Sequence, residues 1–173
     1  MNDSTQRSNP APVGLLRRLG CITYDGLMVL AVLMLVTLMV SIFGGITPDH
    51  PWYPAYTFLV GLSAFLYYGW FWTHGGISLP MQTWRVRLVD PRGRPVTWLQ
   101  ALRRYLVALA QWILIFWGLK AWGAGNLPVA AGVGLVVLAG LAWTVFHPQK
   151  LMLHDLLSGT RLIRLPPDRS GGI

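Results

Sequence analysis

Hydrophobic residues in this chain occur in long uninterrupted runs and not in alternation with polar ones. Neither Gly26 to Ile46 nor Trp52 to Trp72 contains a charged side chain. Each run matches the roughly 20 apolar residues that a helix needs to cross the hydrocarbon core of a bilayer. The linker at residues 47–51 is short and contains two prolines. We therefore predict an antiparallel pair of membrane-spanning helices, the first beginning near Leu15.

The second half of the chain contains one further long apolar stretch, in which Lys120 is the only charged residue from position 105 to 149. This stretch is too long for one span, and glycines and a proline at residues 123–128 interrupt it. We predict a third span over Tyr105 to Leu119, with the Lys120 ammonium group extending to the interface. A fourth span is predicted over Leu127 to Phe146.

The distribution of basic residues gives the orientation of these spans. Four spans place every basic residue except Lys120 on one side of the membrane, as the positive-inside rule requires, whereas three spans would leave the C-terminal ones outside. We therefore predict that both termini are cytoplasmic. The basic residues concerned are Arg7, Arg17, Arg18, Arg85, Arg87, Arg92, Arg94, Arg103, Arg104, Lys150, Arg161, Arg164 and Arg169.

The polar segment between spans two and three shows a strand-like pattern. Arg85–Val89 alternates, Asp90–Gly93 has proline and glycine where a type I turn favours them, and Pro95–Thr97 can return as a second strand. This pattern predicts a small cytoplasmic β-hairpin. Thr97 to Gln100 then reads as a capping box that opens an interfacial helix.

The segment after span four predicts two further elements. Leu151 to Leu157 is typical of a short amphipathic helix, and Thr160 to Leu165 alternates loosely. We expect the latter to lie beside the Arg85–Val89 hairpin. The predicted fold is an all-α membrane protein with four transmembrane helices, this hairpin and this short helix. It forms a single domain over residues 15–165, with flexible tails at 1–14 and 166–173.

Composition agrees with a membrane protein. Hydrophobic residues make up 54% of the 173 residues and charged residues only 12%, about half the share in a soluble domain. The single cysteine, Cys21, excludes an intramolecular disulfide framework. The net charge of +8 follows from the topology, and no recognition motif accompanies it. We therefore expect no nucleic-acid partner.

Two acidic residues in apolar surroundings are the main candidates for chemistry. Asp25 lies seven residues after Arg18, so the two share a helix face but are separated by about 10 Å. Each therefore needs another partner. Asp155 lies in the short amphipathic helix and can reach Arg18, which leaves Asp25 for Arg103 or Arg104. A structural alternative is that Asp25 only starts the membrane helix, through capping and the helix dipole.

The spacing of Arg18 and Asp25, the loop from Trp84 to Arg104 and the segment from Leu153 to Arg164 together resemble the RDD family of bacterial membrane proteins. That family is named for one arginine and two aspartates, which match Arg18, Asp25 and Asp155. The chain departs from the family at residues 76–81, where a glutamine and a second glycine are missing. The resemblance implies a bacterial inner-membrane protein, and a few members are associated with cation/proton antiport.

Two functions are compatible with these residues. In the first, the chain transports a small ion or solute, with Asp25 and Asp155 as binding carboxylates and Arg18 tuning their pKa. In the second, it is an accessory or scaffold protein whose charge cluster is structural and whose basic cytoplasmic face contacts a partner or anionic lipid. Because four helices hardly enclose a pore, a transporter of this size is expected to form a homo-oligomer.

The remaining candidates for chemistry are weak. His154 beside Asp155 can relay protons, but adjacent helical residues point about 100° apart. Three metal ligands at suitable spacing are missing, so we expect no metal site. No nucleophile and base can be paired, and no phosphate-binding loop is present. We therefore predict no enzymatic activity and no cofactor.

Overall fold

The computed structural model describes residues 13–148 and 150–165, which form six helices and two strands in that part of the chain. In chain order they are α1 (Leu15–Gly44), α2 (Tyr53–Thr73), α3 (Leu79–Thr83), β1 (Val86–Val89), α4 (Trp98–Gly123), α5 (Leu127–Phe146), α6 (Leu153–Ser158) and β2 (Arg161–Arg164). The flexible tails predicted at 1–14 and 166–173 lie outside the described residues except for positions 13 and 14. Val13 is buried in the core, so the predicted tail boundary was wrong there.

Three of the described helices, α1, α4 and α5, are long and apolar enough to cross a membrane. The helix α2 is 21 residues long but is not among them. Its four tyrosines and two tryptophans combine apolar rings with polar tips, and it contains no charged residue. The predicted third span was too short, because the capping box at Thr97 and Gln100 opens a single continuous helix that reaches Gly123.

The first two helices form an antiparallel pair. Gly45 takes up the left-handed conformation (φ 56°) that ends α1, and the following turn begins α2. The Thr37 and Tyr56 hydroxyl oxygens are 2.9 Å apart near this turn. At the opposite end of the pair, a Cβ on Gly20 would lie 2.9 Å from the Trp84 ring, so the segment after α2 has returned to the start of α1. We call this opposite end of the bundle the charged end.

The buried core lies at the charged end and not between the apolar helices. It combines side chains from the start of α1, the end of α2, the sheet and the start of α4, with Val86 and Leu88 fully buried. In contrast, no more than 11% of the apolar window of any of the three long apolar helices is buried. The bundle is thin, and its apolar outer surface fits a lipid environment.

The predicted hairpin of Arg85–Val89 with Pro95–Thr97 was wrong, whereas the expected position of residues 160–165 beside Arg85–Val89 was confirmed. Residues 94–97 form no strand, because Pro95 lacks an N–H group, Val96 turns into the core and Thr97 caps α4. The partner of β1 is instead β2, which is antiparallel to it and pairs Val86 with Arg164. The predicted turn at Asp90 to Gly93 is confirmed, since the Gly93 amide donates to the Asp90 carbonyl at 3.0 Å.

Candidate functional site

Asp155 lies at the centre of the buried polar residues at the charged end. It is 1% exposed and belongs to α6, a helix of only six residues that packs against α4. Its Oδ2 also accepts a hydrogen bond from the Met152 amide at 3.1 Å. The carboxylate therefore satisfies one of the free N–H groups at the beginning of its own helix, which fixes its orientation.

Two arginines from different membrane helices donate to this carboxylate. Arg18 in α1 donates through Nη1 to Oδ2, and Arg104 in α4 donates through Nη1 to Oδ1. Both guanidinium groups are buried. Asp155 thus joins the first turns of α1 and α4 to the segment that follows α5, and we call these three residues the ion triad.

The Arg104 side of the triad is supported by further contacts. Arg104 Nη1 also donates to Thr160 Oγ1 at 2.8 Å, and the Thr160 and Ser158 hydroxyl oxygens are 2.8 Å apart. Its guanidinium carbon lies 5.3 Å from the centre of the Trp72 ring, within the range of a cation–π contact. Together with the ion pair to Asp155, these contacts fix the position of the Arg104 guanidinium group.

His154 lies beside the triad and is uncharged at neutral pH. Its Nδ1 is 3.3 Å from Gln111 Oε1, and its Nε2 is 3.6 Å from Asp155 Oδ1. Burial and the positive charge of Arg104 lower the pKa of His154 to about 3, against the weaker opposite effect of Asp155. His154 is therefore a hydrogen-bonding group here and not a cation.

Asp155 itself remains ionised. Burial alone would raise its pKa, but the positive charge of Arg104, with that of Arg18, outweighs burial and holds the pKa well below its usual range. A carboxylate held in this way does not take up a proton near neutral pH. The ion triad therefore joins helices through an ionised carboxylate.

Asp25 has a different environment about two helical turns further along α1. It is 4% exposed, and its Oδ2 accepts a hydrogen bond from Ser78 Oγ at 2.9 Å. Ser78 also caps α3, since its Oγ accepts from the Met81 amide. The second oxygen, Oδ1, is buried without a hydrogen-bond partner among the described residues, and so is Arg18 Nη2.

The structure corrects the pairing expected for Asp25. Asp25 forms no ion pair with Arg103 or Arg104 in the described part of the chain, because Asp155 already occupies Arg104 and Arg103 is exposed. Arg104 remains within electrostatic reach of Asp25. The expected contact of Asp155 with Arg18 is present. Asp25 does not cap α1 either, since the helix begins at Leu15, ten positions earlier.

Sequence reasoning missed two residues that complete the site, Ser78 and Thr160. Ser78 carried a readable signal, because serine shortly before a proline is typical of a helix N-cap. That signal predicts α3 but not the contact with Asp25, 53 positions away. Thr160 follows Gly159, which ends α6 with a φ of 61°, and nothing in its local pattern points to Arg104.

The described residues offer no metal site, since no group of three or more His, Cys, Asp or Glu side chains comes together in them. The site contains two carboxylates at the charged end of the helical bundle. Both oxygens of Asp155 accept hydrogen bonds, whereas only one oxygen of Asp25 does so among the described residues.

This fold and site define a helical membrane protein whose helices are joined at one end by buried arginine and aspartate side chains. A family model described as the RDD family matches residues 12–159, which include all of the ion triad, Asp25 and Ser78. The chain belongs to the RDD family. No curated protein matches it at a significant level.

Proposed function

We propose that the chain is a four-span protein of the bacterial cytoplasmic membrane that transports a small cation or proton-coupled solute, with Asp25 as the binding carboxylate. The observation that carries this proposal is the unpartnered Oδ1 of Asp25, buried in an apolar helix. A buried acceptor without a partner is costly unless a proton, cation or water occupies it. Ionisable groups in membrane helices typically mark transport paths.

The distribution of contacts at the charged end supports different roles for the two aspartates. Asp155 receives two guanidinium groups and a backbone amide, so both of its oxygens are already engaged. Asp25 receives one hydroxyl group. In this proposal the ion triad is structural, and Asp25 alone is exchangeable. No step of the proposal requires enzymatic chemistry or a cofactor.

Four spans are supported by where the ends of α2 lie. Its first turn contacts α1 through Thr37, and the segment after it reaches Asp25 and Gly20 near the start of α1. A helix of 21 residues is about 31 Å long, which matches the hydrocarbon core. Because four helices leave little interior space, transport in this proposal requires a second copy of the chain.

The test is ion flux in proteoliposomes containing the purified protein. Wild type is expected to dissipate an imposed pH gradient when a monovalent cation is supplied, and Asp25→Asn is expected to reduce this flux at least tenfold. Asp49→Asn is the control, because Asp49 is exposed in the turn between α1 and α2, away from Asp25. Wild-type flux no greater than that of protein-free liposomes, or unchanged flux in Asp25→Asn, would refute the proposal.

The same flux experiment with Asp155→Asn distinguishes the structural role proposed for Asp155 from the binding role proposed for Asp25. Removing the carboxylate leaves Arg18 and Arg104 buried without their counter-ion, a change that costs about 3–5 kcal/mol in comparable buried pairs. We expect a loss of folded protein, with normal flux per folded molecule.

The second candidate function is a non-enzymatic accessory or scaffold protein. It is favoured by the saturated ion triad, which needs no substrate, and by the exposed arginines at the charged end. Absence of wild-type flux, together with co-purification of one defined membrane partner that depends on Arg103 or Arg92, would favour this function over transport.

A further inference from the structure

Three arginines from separate parts of the chain meet at one edge of the two-stranded sheet. Arg17 in α1 donates through Nη1 to the Trp84 carbonyl at 3.3 Å. The next residue, Arg85, accepts through its carbonyl a hydrogen bond from the Leu165 amide at 2.8 Å. Arg164 precedes Leu165 and pairs with Val86 across the strands. The Arg17 guanidinium group and the backbones of Arg85 and Arg164 therefore come together at this edge.

No carboxylate neutralises these arginines within residues 13–148 and 150–165. In that part of the chain Asp155 binds Arg18 and Arg104, Asp90 binds Arg94, and Asp25 binds Ser78. Asp49 lies in the turn between α1 and α2, at the opposite end of the bundle. Arg85 and Arg164 are exposed, and Arg17 is half-buried with one guanidinium nitrogen engaged. Three arginines at this edge of the sheet therefore lack an ion-pair partner among the described residues.

The backbone at Arg85 is held in an unfavourable conformation. Its φ of 52° lies in the left-handed region, which residues other than glycine rarely adopt. The surrounding contacts enforce this conformation, since both neighbours of Arg85 in the chain are hydrogen-bonded or paired: the Trp84 carbonyl to Arg17, and Val86 to Arg164. A glycine here would relieve the strain but would remove the guanidinium group.

Exposed apolar side chains lie next to this basic edge. Leu16 immediately precedes Arg17 and is 85% exposed, and Leu79, at the start of α3, is 56% exposed. The helices α1 and α3 are in contact, and α1 is one of the helices long enough to cross a membrane. Guanidinium groups beside exposed leucines at the beginning of a membrane helix match the boundary between lipid headgroups and acyl chains.

We infer that Arg17, Arg85 and Arg164 form a binding site for the phosphate group of an anionic membrane lipid. The forked guanidinium donors pair with two phosphate oxygens at once, which an ammonium group cannot do in the same way. The phosphodiester of phosphatidylglycerol supplies the negative charge, and its acyl chains cover Leu16 and Leu79. The site is separate from Asp25 and does not depend on the transport proposal.

The test is lipid-dependent thermal stabilisation of the protein in a neutral detergent, with short-chain phosphatidylglycerol as the probe. Binding to the folded state raises the unfolding temperature, and at a given ligand concentration the rise is larger for tighter binding. We expect stabilisation by phosphatidylglycerol and little by phosphatidylcholine. Arg85→Gln and Arg164→Gln are each expected to weaken binding about fivefold, the effect of one basic residue at an anionic surface.

Arg92→Gln is the matched control, because Arg92 is exposed in the turn after β1 and its loss changes the net charge equally. It should leave phosphatidylglycerol binding unchanged. Should Arg85→Gln fail to fold, Arg164→Gln and Arg85→Lys provide the same comparison. Arg85→Lys retains the positive charge but removes the paired N–H donors of the guanidinium group. Equal weakening by Arg92→Gln, no preference for phosphatidylglycerol, or equal stabilisation by inorganic phosphate alone would overturn the inference.

Discussion

Asp155 keeps its charge without access to water because the residues around it replace the lost solvation. Two guanidinium groups and a backbone amide cover its oxygens, whereas Asp25 has one hydroxyl partner. The two aspartates that give the RDD family its name therefore have different local chemistry in this chain. One oxygen of Asp25 has no hydrogen-bond partner among the described residues, whereas both oxygens of Asp155 have partners, and the proposed function assigns them a binding and a structural role on this difference.

His154 makes the stability of the protein depend on pH. Its pKa is lowered to about 3 in the folded state, first by burial and then by Arg104 and Arg18, from an ordinary value of 6.5. Between these values the unfolded chain binds a proton that the folded chain does not, so the free energy of unfolding falls as the pH drops from about 6.5 towards 3. The slope for one such group approaches about 1.4 kcal/mol per pH unit.

We therefore expect the unfolding temperature in detergent to fall between pH 6.5 and pH 4.5, and to fall less steeply in His154→Gln. Asp155 acts in the same direction only at lower pH, because its folded pKa lies below the ordinary 3.8. His50→Gln is the control, since His50 lies in the turn between α1 and α2. Identical slopes for wild type and His154→Gln would show that His154 is not the titrating group.

At the scale of elements, α4 and α5 approach each other closely at one glycine. A Cβ on Gly118 would lie 2.6 Å from Val133 Cγ1 and 2.9 Å from Val133 Cβ. Valine is stiff around its branched Cβ, so it cannot move away without shifting a helix. Gly118 is thus required for the packing of these two helices, as small residues are at many membrane helix interfaces.

We expect Gly118→Ala to destabilise the protein by about 1–3 kcal/mol, the usual cost of overpacking, in unfolding experiments in mixed micelles. Gly134→Ala in α5 is the matched control, because a Cβ there meets nothing within 4 Å and alanine is the better helix former. Equal effects of Gly118→Ala and Gly134→Ala would show that the close contact is absent.

The short helix α6 shows an inverted distribution of side chains. Leu153, Leu156 and Leu157 are exposed, whereas Asp155 and Ser158 are buried. A soluble amphipathic helix buries its apolar face. Here the polar face contacts the arginines of the bundle, and the exposed leucines continue the apolar surface of α4. This arrangement fits a helix lying in the membrane interface with its leucines towards lipid.

The sequence predicted the elements well and their partners less well. The apolar runs, the capping box at Thr97 and the alternation in residues 160–165 are local patterns, and each located a helix or strand to within a few residues. The span in α4 was underestimated, since its first two turns contain Arg103 and Arg104, and α3 was not predicted. The segment beside β1 was expected, but its role as the second strand in place of residues 95–97, and the hydroxyl group on Asp25, depend on contacts between residues more than 50 positions apart.

At the scale of the whole molecule, the contacts at the charged end bear on topology. The starts of α1 and α4 meet the segments after α2 and α5 there, through Arg18, Arg104, Ser78 and Asp155. If α1 and α5 cross the membrane, this convergence requires α2 and α4 to cross it as well. The exposed basic residues of this end then face the cytoplasm by the positive-inside rule.

Cysteine labelling of intact cells tests this topology, with Cys21→Ser as the background, because Cys21 is the only native cysteine. Asp49→Cys and Ala124→Cys lie in exposed turns away from the charged end, and Arg92→Cys lies at it. We expect a membrane-impermeant maleimide to label the first two from outside and Arg92→Cys only after permeabilisation. A three-span protein in which α2 stays on the outer surface would label Arg92→Cys from outside and protect Ala124→Cys. That pattern would contradict the four-span arrangement, because the residues that meet at the charged end would then lie on opposite sides of the membrane.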